Sequence, residues 1–266
     1  MPTADLGEFT LHFREHGSGD PPVLGIMGFG LDHRFWAAQI PAVTKGNRFI
    51  VFDNRGTGRS GRAPVSTINE MTKDALALLD YLEIDEAVIF GVSMGGAIAQ
   101  RMAIEHADRV RALILTVTWN RPTEFMRRQN AVVRRMIELG AEKDVIELAI
   151  LRMFTPRFFE WGAPLLDQMT RSLDARSAPQ LPGADVLLAQ LQAIEAHDSA
   201  EELAGISCPA LVVGGRMDMV VPGFASEELA AAIPGARLEM LDSGHGLMVE
   251  EMERFNALVA GFLESL

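Results

Sequence analysis

Residues 91–96 read Gly-Val-Ser-Met-Gly-Gly, a G-x-S-x-G pattern that places Ser93 between a predicted strand and a predicted helix. Residues 86–90 are mostly β-branched or apolar, and residues 97–106 are rich in strong helix formers. A serine at such a junction lies on a sharp turn with its hydroxyl above the sheet edge, and glycines stand where side chains would collide. The helix amides would face a negative charge at Ser93. The pattern therefore predicts a nucleophile. The alternative is a glycine-rich turn whose serine caps the helix.

An acid and a histidine follow two later predicted strands. Residues 210–215 form an apolar strand pattern, and Asp218 comes three residues after it. Residues 237–241 form another strand pattern, followed by His245, which is the one histidine after Asp218. Serine hydrolases with this kind of turn carry their triad in the chain order serine, acid, histidine. Glycines on both sides of His245 are expected to give its loop the backbone freedom to reach the acid.

Two other positions for the acid are excluded. Residues 118–120, which follow the predicted strand 110–117, contain no carboxylate. Asp242 lies close to the histidine in sequence but is interpreted as a turn residue after a strand. The sequence therefore predicts Ser93, Asp218 and His245 as the catalytic residues.

Two further segments carry a resemblance to a known family. Residues 27–30 read Met-Gly-Phe-Gly, and residues 53–60 read Asp-Asn-Arg-Gly-Thr-Gly-Arg-Ser. With the serine turn, these segments resemble the α/β-hydrolase fold superfamily over essentially the whole chain. Within it, the chain is most similar to small bacterial esterases and lactonases of the 3-oxoadipate enol-lactonase type. Met27 replaces the histidine of the family's His-Gly-x-Gly, a residue that generally supports the loop and does no chemistry.

The fold class expected from the alternating strands and helices and from this resemblance is α/β. It comprises a mostly parallel eight-stranded sheet with helices on both faces and a helical lid insertion. We expect residues 1–119 and 201–266 to form the core and residues 120–200 to form the lid, within one compact unit. An N-terminal hairpin should precede the third strand.

The resemblance implies a serine hydrolase that cleaves a small carboxylic ester or lactone through an acyl-serine. His245 would take the proton of Ser93, and Asp218 would orient the imidazole. The backbone N–H groups of Phe29 and Met94 would contact the substrate as the oxyanion hole. No cofactor and no metal are expected, because His and Cys show no ligand spacing. Cleavage of carbon–carbon bonds, perhydrolysis of the haloperoxidase type and a non-catalytic small-molecule receptor stay open as alternatives.

A second glycine pattern is interpreted as a decoy. Residues 56–61 match G-x-G-x-x-G after a strand, and Asp74 lies near the distance at which dinucleotide-binding turns carry an acid. Such a turn must open a helix, and Pro64 biases Ala63 away from helical geometry. We therefore expect a loop that shapes one wall of the active site.

Composition sets the class of protein and its partners. The chain has 266 residues, 48% of them hydrophobic, which suits one well-buried core. Its single cysteine, Cys208, excludes an internal disulfide framework and fits a reducing compartment. Residues 1–6 show no signal-peptide pattern and no apolar run approaches ~20 residues, so no membrane contact and a cytoplasmic location are expected. The net charge of −12 argues against nucleic-acid binding. A homo-oligomer is left open.

Substrate choice is expected to reside in the lid. Most of its large apolar residues should pack against the core, and some should line an acyl or alcohol pocket. Residues 120–160 contain eight basic and six acidic residues. Their arginines are interpreted as a solvated helix face, the alternative being a guanidinium that binds a substrate carboxylate. The large apolar residues are Trp119, Phe125, Met126, Met136, Met153, Phe154, Phe158, Phe159 and Trp161.

Overall fold

The strands form one eight-stranded sheet. The computed structural model describes residues 2–62, 67–174 and 182–266. The first two strands form the predicted antiparallel hairpin, β2 pairs antiparallel with β4, and all other neighbours are parallel. The strand order is β1-β2-β4-β3-β5-β6-β7-β8. The strands are β1 (Thr3–Asp5), β2 (Thr10–His16), β3 (Val23–Ile26), β4 (Phe49–Phe52), β5 (Ala87–Val92), β6 (Val110–Thr116), β7 (Ala210–Gly215) and β8 (Arg237–Leu241).

The order of the central strands positions the candidate site. The chain passes from β3 to β4 on one side and then returns to β5 on the other side of β3. The crevice at the carboxyl ends of β3 and β5 is therefore the point where strand order reverses, which is where open α/β sheets bind ligands. The loop at residues 27–30 follows β3, and Ser93 follows β5, so both face this crevice.

Helices cover both faces of the sheet, as predicted. One apolar cluster joins the sheet to α2, α3 and α8, and the other joins it to α1, α9 and α10. Both faces of the central strands are thus removed from water, which explains their continuous apolar sequences. The helices are α1 (Ile40–Val43), α2 (Ile68–Tyr81), α3 (Met94–Glu105), α4 (Glu124–Glu138), α5 (Glu142–Met153), α6 (Pro156–Asp174), α7 (Ala184–Ala196), α8 (Gly223–Ala232), α9 (Leu247–Glu250) and α10 (Met252–Leu263).

Helix α3 begins at the serine turn, as predicted. The run of strong helix formers starts at Ala97, and the helix itself is expected to start at the serine. In the structure the carbonyl of Ser93 accepts hydrogen bonds from the N–H groups of Gly96 and Ala97, and this closes the first turn. The helix therefore begins at Met94, directly after the serine.

In the part of the chain that the structure describes, four helices, α4 to α7, are inserted between β6 and β7. The two ends of this helical insertion meet, because the N–H of Ser199 donates to the carbonyl of Asn120 at 2.9 Å. Of the large apolar residues considered for the lid, Trp119 and Met126 are buried in the apolar cluster of the sheet. Phe154 and Phe158 are buried in a separate cluster within the insertion, whereas Phe125 and Trp161 are exposed. The insertion thus has apolar packing of its own and an outer apolar surface.

The segment that carries the dinucleotide-like pattern is a turn. Within residues 56–62 no helix begins, and the N–H of Gly61 donates to the carbonyl of Thr10. Asp74 is paired through both carboxylate oxygens with Arg55, so its carboxylate is occupied. Ala63 and Pro64, which carried the sequence argument, lie outside the described residues. The turn packs against the edge hairpin and does not open a helix.

The described helices are too short or too polar to cross a membrane.

Cys208 is half-buried just before β7, and burial raises the pKa of its thiol.

Candidate active site

Ser93 lies on a strained turn between β5 and α3. Its backbone has φ 55° and ψ −118°, a region that non-glycine residues rarely adopt. A Cβ atom at Gly91 would lie 2.4 Å from the carbonyl oxygen of Gly95, and one at Gly95 would lie 2.0 Å from that of Ile26. The hydroxyl of Thr118 donates to the carbonyl of Ser93 at 2.8 Å. The turn is therefore closely surrounded by backbone, which accounts for both glycines of the motif.

Asp218 and His245 are in direct contact. Asp218 Oδ2 lies 2.7 Å from His245 Nδ1, and both side chains are buried. The other oxygen, Oδ1, accepts the N–H groups of Val220 and Val221 at 2.7 and 2.8 Å. One carboxylate oxygen is thus fixed by backbone while the other orients the imidazole. This contact places the proton on Nδ1 and leaves Nε2 free to accept one.

The glycines beside His245 have a different role from the one predicted. Neither Gly244 nor Gly246 adopts a positive φ, so backbone freedom is the wrong reason for them. A Cβ atom at Gly244 would lie 2.5 Å from the carbonyl oxygen of Met153, and one at Gly246 would lie 2.4 Å from the ring of Phe154. The N–H of Gly246 also donates to the carbonyl of Met153 at 2.6 Å. The glycines therefore make room for the junction between α5 and α6.

The loop after β3 lies against the serine. A Cβ atom at Gly28 would be 3.0 Å from Ser93 Cβ, so the backbone approaches the serine as closely as a glycine permits. Asn54 holds the loop by donating to the carbonyl of Met27 at 3.0 Å. Within the described ranges, neither the N–H of Phe29 nor that of Met94 donates to a protein acceptor. Two backbone donors therefore remain available beside Ser93.

The sequence patterns missed Glu250, which ties the loop of His245 to the insertion. Its carboxylate accepts the N–H groups of Gly244 at 3.3 Å and Thr155 at 3.2 Å, and it also bonds the Thr155 hydroxyl. Residues 95 positions apart in the sequence make this contact, and no local spacing signals it.

An arginine that feels the charge of Asp218, Arg152, is also one that the patterns did not single out. Arg134 pairs with Glu195, and Arg128 with Glu124, so these two arginines lie in ion pairs on the insertion itself. Arg152 at the end of α5 is half-buried, and burial lowers the pKa of its guanidinium against the opposing charge of Asp218. It donates to Gln129 Oε1 at 2.5 Å.

His12, His33 and Asp53 bring potential metal-ligating atoms within 4.8 Å of one another, a cluster not evident from sequence spacing. Asp53 already accepts the N–H groups of His33 and Arg59, and its Oδ1 lies 2.6 Å from His33 Nδ1. Burial raises the pKa of Asp53, but these hydrogen bonds outweigh it and lower the pKa below the usual value. We interpret the cluster as support for the loop after β3.

The chain is similar in sequence and structure to hydrolases. Residues 21–251 match the family described as alpha/beta hydrolase fold. A protein of Azorhizobium caulinodans named "Putative carbamate hydrolase RutD" is 32% identical over 265 residues, which are 98% of each chain. The enol-lactonase of Burkholderia xenovorans LB400 superposes with a TM-score of 0.90 at 30% identity, covering 99% of this chain and 100% of that one. A thermophilic esterase of Thermogutta terrifontis gives 0.85 at 31% identity, with 98% and 96% covered.

Proposed function

Because the chain belongs to the α/β-hydrolase fold family, we propose that it is a serine hydrolase that cleaves a small carboxylic ester or lactone through an acyl-serine. Ser93 is the proposed nucleophile, His245 the base and Asp218 the orienting acid. The observation that carries the proposal is the 2.7 Å contact between Asp218 and His245, with the second carboxylate oxygen of Asp218 held by backbone.

The proposed reaction has two halves. His245 Nε2 takes the hydroxyl proton as Ser93 Oγ attacks the carbonyl carbon, and Asp218 stabilises the imidazolium. The carbonyl oxygen becomes an oxyanion that the N–H groups of Phe29 and Met94 receive, each such donor being worth about 3 kcal/mol. His245 then protonates the leaving alkoxide, which in a lactone stays attached to the acyl chain. His245 then deprotonates a water that attacks the acyl-serine. The bond from the acyl carbon to Ser93 Oγ breaks, His245 returns the proton to Oγ, and the acid is released.

The insertion is proposed to act as a lid over this site. The proposed division is a core of residues 1–119 and 201–266 with a lid of residues 120–200. The lid contacts at Gly244 and Gly246 support it, because they bring the α5–α6 junction against the loop of His245. Water exclusion by such a lid strengthens the electrostatic interactions inside the site. The cytoplasm is the proposed compartment, supported by the single cysteine.

Carbamate cleavage is the second candidate, favoured by the name of a relative that is 32% identical over 98% of the chain. The same attack on a carbamate carbonyl would give a carbamoyl-serine in place of an acyl-serine. Nitrogen donation makes that carbonyl less electrophilic, so the two substrates test the same residues at different intrinsic reactivity.

The test is to incubate the protein with p-nitrophenyl acetate, butyrate and octanoate, with p-nitrophenyl N-methylcarbamate, and with a fluorophosphonate. We expect ester turnover and a fluorophosphonate adduct on Ser93 located by mass spectrometry.

Ser93→Ala and His245→Ala should lower turnover by several orders of magnitude with the fold retained. Ser226→Ala is the control, since Ser226 is also a buried serine but lies in α8. Ester cleavage by Ser93→Ala at the wild-type rate would refute the proposal. Faster turnover of the carbamate than of every ester would favour the second candidate.

A further inference from the structure

A glutamine of the insertion reaches the loop that follows β3. Gln190 lies on α7 and has no exposed surface. Its Oε1 accepts the N–H of Gly30 at 2.9 Å, and its Nε2 donates to Thr57 Oγ1 at 3.1 Å. The orientation of the amide is set by these partners, because a backbone N–H can only donate and must therefore face the oxygen. Both ends of the side chain are satisfied.

Helix α7, which carries Gln190, packs against the loop that contains Gly30 and the turn that contains Thr57. A Cβ atom at Gly30 would lie 3.3 Å from Leu187, and one at Gly56 would lie 2.7 Å from Val186. Both glycines have positive φ, 68° at Gly30 and 72° at Gly56. Helix α7 thus lies directly on the loop after β3 and on the turn after β4, at a contact where side chains on the loops would collide with it.

We propose that Gln190 is a positioning residue that holds the N–H of Phe29 in place for the oxyanion. The proposal rests on the function proposed above. Gly30 is the next residue after Phe29, so the bond from Gln190 fixes the loop one peptide unit beyond the proposed donor. The loop is also fixed on its other side, because Asn54 bonds the carbonyl of Met27. Gln190 and Asn54 together hold the segment that Phe29 occupies.

A backbone donor stabilises the oxyanion only if it points at the position where charge develops, and misplacement by about 1 Å is costly. Without Gln190, the N–H of Gly30 would lose its acceptor beneath a helix that leaves little room for water. The loop would then turn to find another partner, and the Phe29 N–H would turn with it. The loss should appear in the transition state and leave substrate binding almost unchanged.

The test compares two buried glutamines. Gln190→Met keeps the approximate side-chain volume and removes both hydrogen bonds. Gln39→Met is the matched control, because Gln39 is also fully buried and donates to Met248 and Asn256, away from the loop after β3. With p-nitrophenyl butyrate we expect Gln190→Met to lower kcat about 10- to 100-fold, with KM changed less than about threefold. Gln39→Met should leave kcat within about twofold of the wild type.

A second measurement does not need turnover. Amide hydrogen exchange of residues 28–36 should become faster in Gln190→Met than in Gln39→Met, while residues 94–105 exchange equally in both. Equal exchange at residues 28–36 would overturn the positioning role. Faster exchange with unchanged kcat would show that Gln190 holds the loop but not the oxyanion donor, and would overturn the proposal as well.

The two proposals fail in different ways. If the wild type neither turns over an ester or the carbamate nor forms an adduct on Ser93, the proposed function fails, and the role of Gln190 in the reaction fails with it. If the wild type is active and Gln190→Met matches Gln39→Met in kcat, only the role of Gln190 fails. Thr57→Ser and Thr57→Val add a graded check. The first keeps the hydroxyl that Gln190 bonds and should retain activity, whereas the second should lose part of it.

Discussion

The carbonyl oxygen of Met153 accepts the N–H of Gly246 at 2.6 Å, which joins the end of α5 to the residue that follows His245. On the other side of the histidine, the N–H of Gly244 donates to Glu250, which also accepts from Thr155. The loop of His245 is therefore held at both flanks by contacts that involve the helical insertion. The insertion therefore contributes to the geometry of the proposed base.

Gly246→Ala should destabilise the protein and lower activity. Its Cβ atom would lie 2.4 Å from Phe154 Cε1, so either the ring or the loop of His245 must move. We expect a loss of about 1–3 kcal/mol in the free energy of unfolding, measured by urea denaturation. Gly261→Ala is the control, because nothing lies within 4 Å of its Cβ position inside α10. That change should stabilise by about 0.5–1 kcal/mol. Equal effects of the two substitutions would contradict the close packing at Gly246.

Glu250→Ala should lower kcat by about tenfold, because the Gly244 N–H loses an acceptor next to the base and hydrogen bonds to a charged group contribute about 1.5–3 kcal/mol. The melting temperature should fall too, since the bond to Thr155 is lost. Glu251→Ala serves as the comparison. Glu251 is the next residue in the chain, is half-buried, and makes no side-chain hydrogen bond within the described ranges. Steady-state kinetics of both variants decide the matter. A Glu250→Ala enzyme as active as Glu251→Ala would remove Glu250 from the account of how His245 is held.

Ser93→Gly should be more stable than Ser93→Ala. The serine has a φ of 55°, which strains any residue with a Cβ atom and leaves glycine unstrained. We expect a difference of about 1 kcal/mol in the free energy of unfolding, net of the greater flexibility of glycine in the unfolded chain. Chemical denaturation of the two inactive variants measures it directly. Should alanine prove the more stable, the turn does not store strain.

Stability should fall with acid through His197. Burial, with the nearby charge of Arg101, lowers its pKa from 6.5 to about 4. Between pH 6.5 and about pH 4, His197 is protonated in the unfolded chain but neutral in the folded chain. The contribution of neutral His197 to the free energy of unfolding is therefore complete above pH 6.5 and is lost as the pH falls to about 4. The loss attributable to this residue is about 3 kcal/mol.

His197→Phe is the test of that assignment. Phenylalanine keeps a ring against Trp119. The rings of His197 and Trp119 are edge-on, with 6.3 Å between their centroids. Urea denaturation at several pH values should give a shallower decline of stability in the variant between pH 6.5 and pH 4. Parallel curves for the variant and the wild type would mean that His197 takes up its proton in the folded state as well.

Local patterns in the sequence predicted the fold and the candidate site unevenly. The strands β3 to β7 were found because buried parallel strands are largely apolar runs, and helices on both faces followed from their alternation. Asp218 and His245 were found because each follows a predicted strand in the chain order serine, acid, histidine, and the structure places them in contact. Their catalytic roles stay predictions. Gln190, Glu250 and Arg152 were not found, since they act through contacts across 23 to 160 residues of sequence.

The glycines beside His245 show the limit of local reasoning most clearly. A glycine in a sequence indicates either a special backbone conformation or a close neighbour, and the two look alike. Here the neighbour is the α5–α6 junction, which lies about ninety residues earlier in the chain.

The hydrogen bond between Ser199 and Asn120 brings the two ends of the insertion together. The number of residues in the insertion can therefore change without changing the distance between β6 and β7. Loop closure depends only weakly on the number of residues enclosed, which makes this a place where one insertion could be exchanged for another. The hydrogen bonds that the insertion makes to the N–H groups of Gly30 and Gly246 limit which insertions could be exchanged. A transplanted insertion would have to bring an acceptor to each of these two N–H groups, in addition to a new pocket. Grafting between relatives should therefore transfer specificity only when both acceptors travel with the graft.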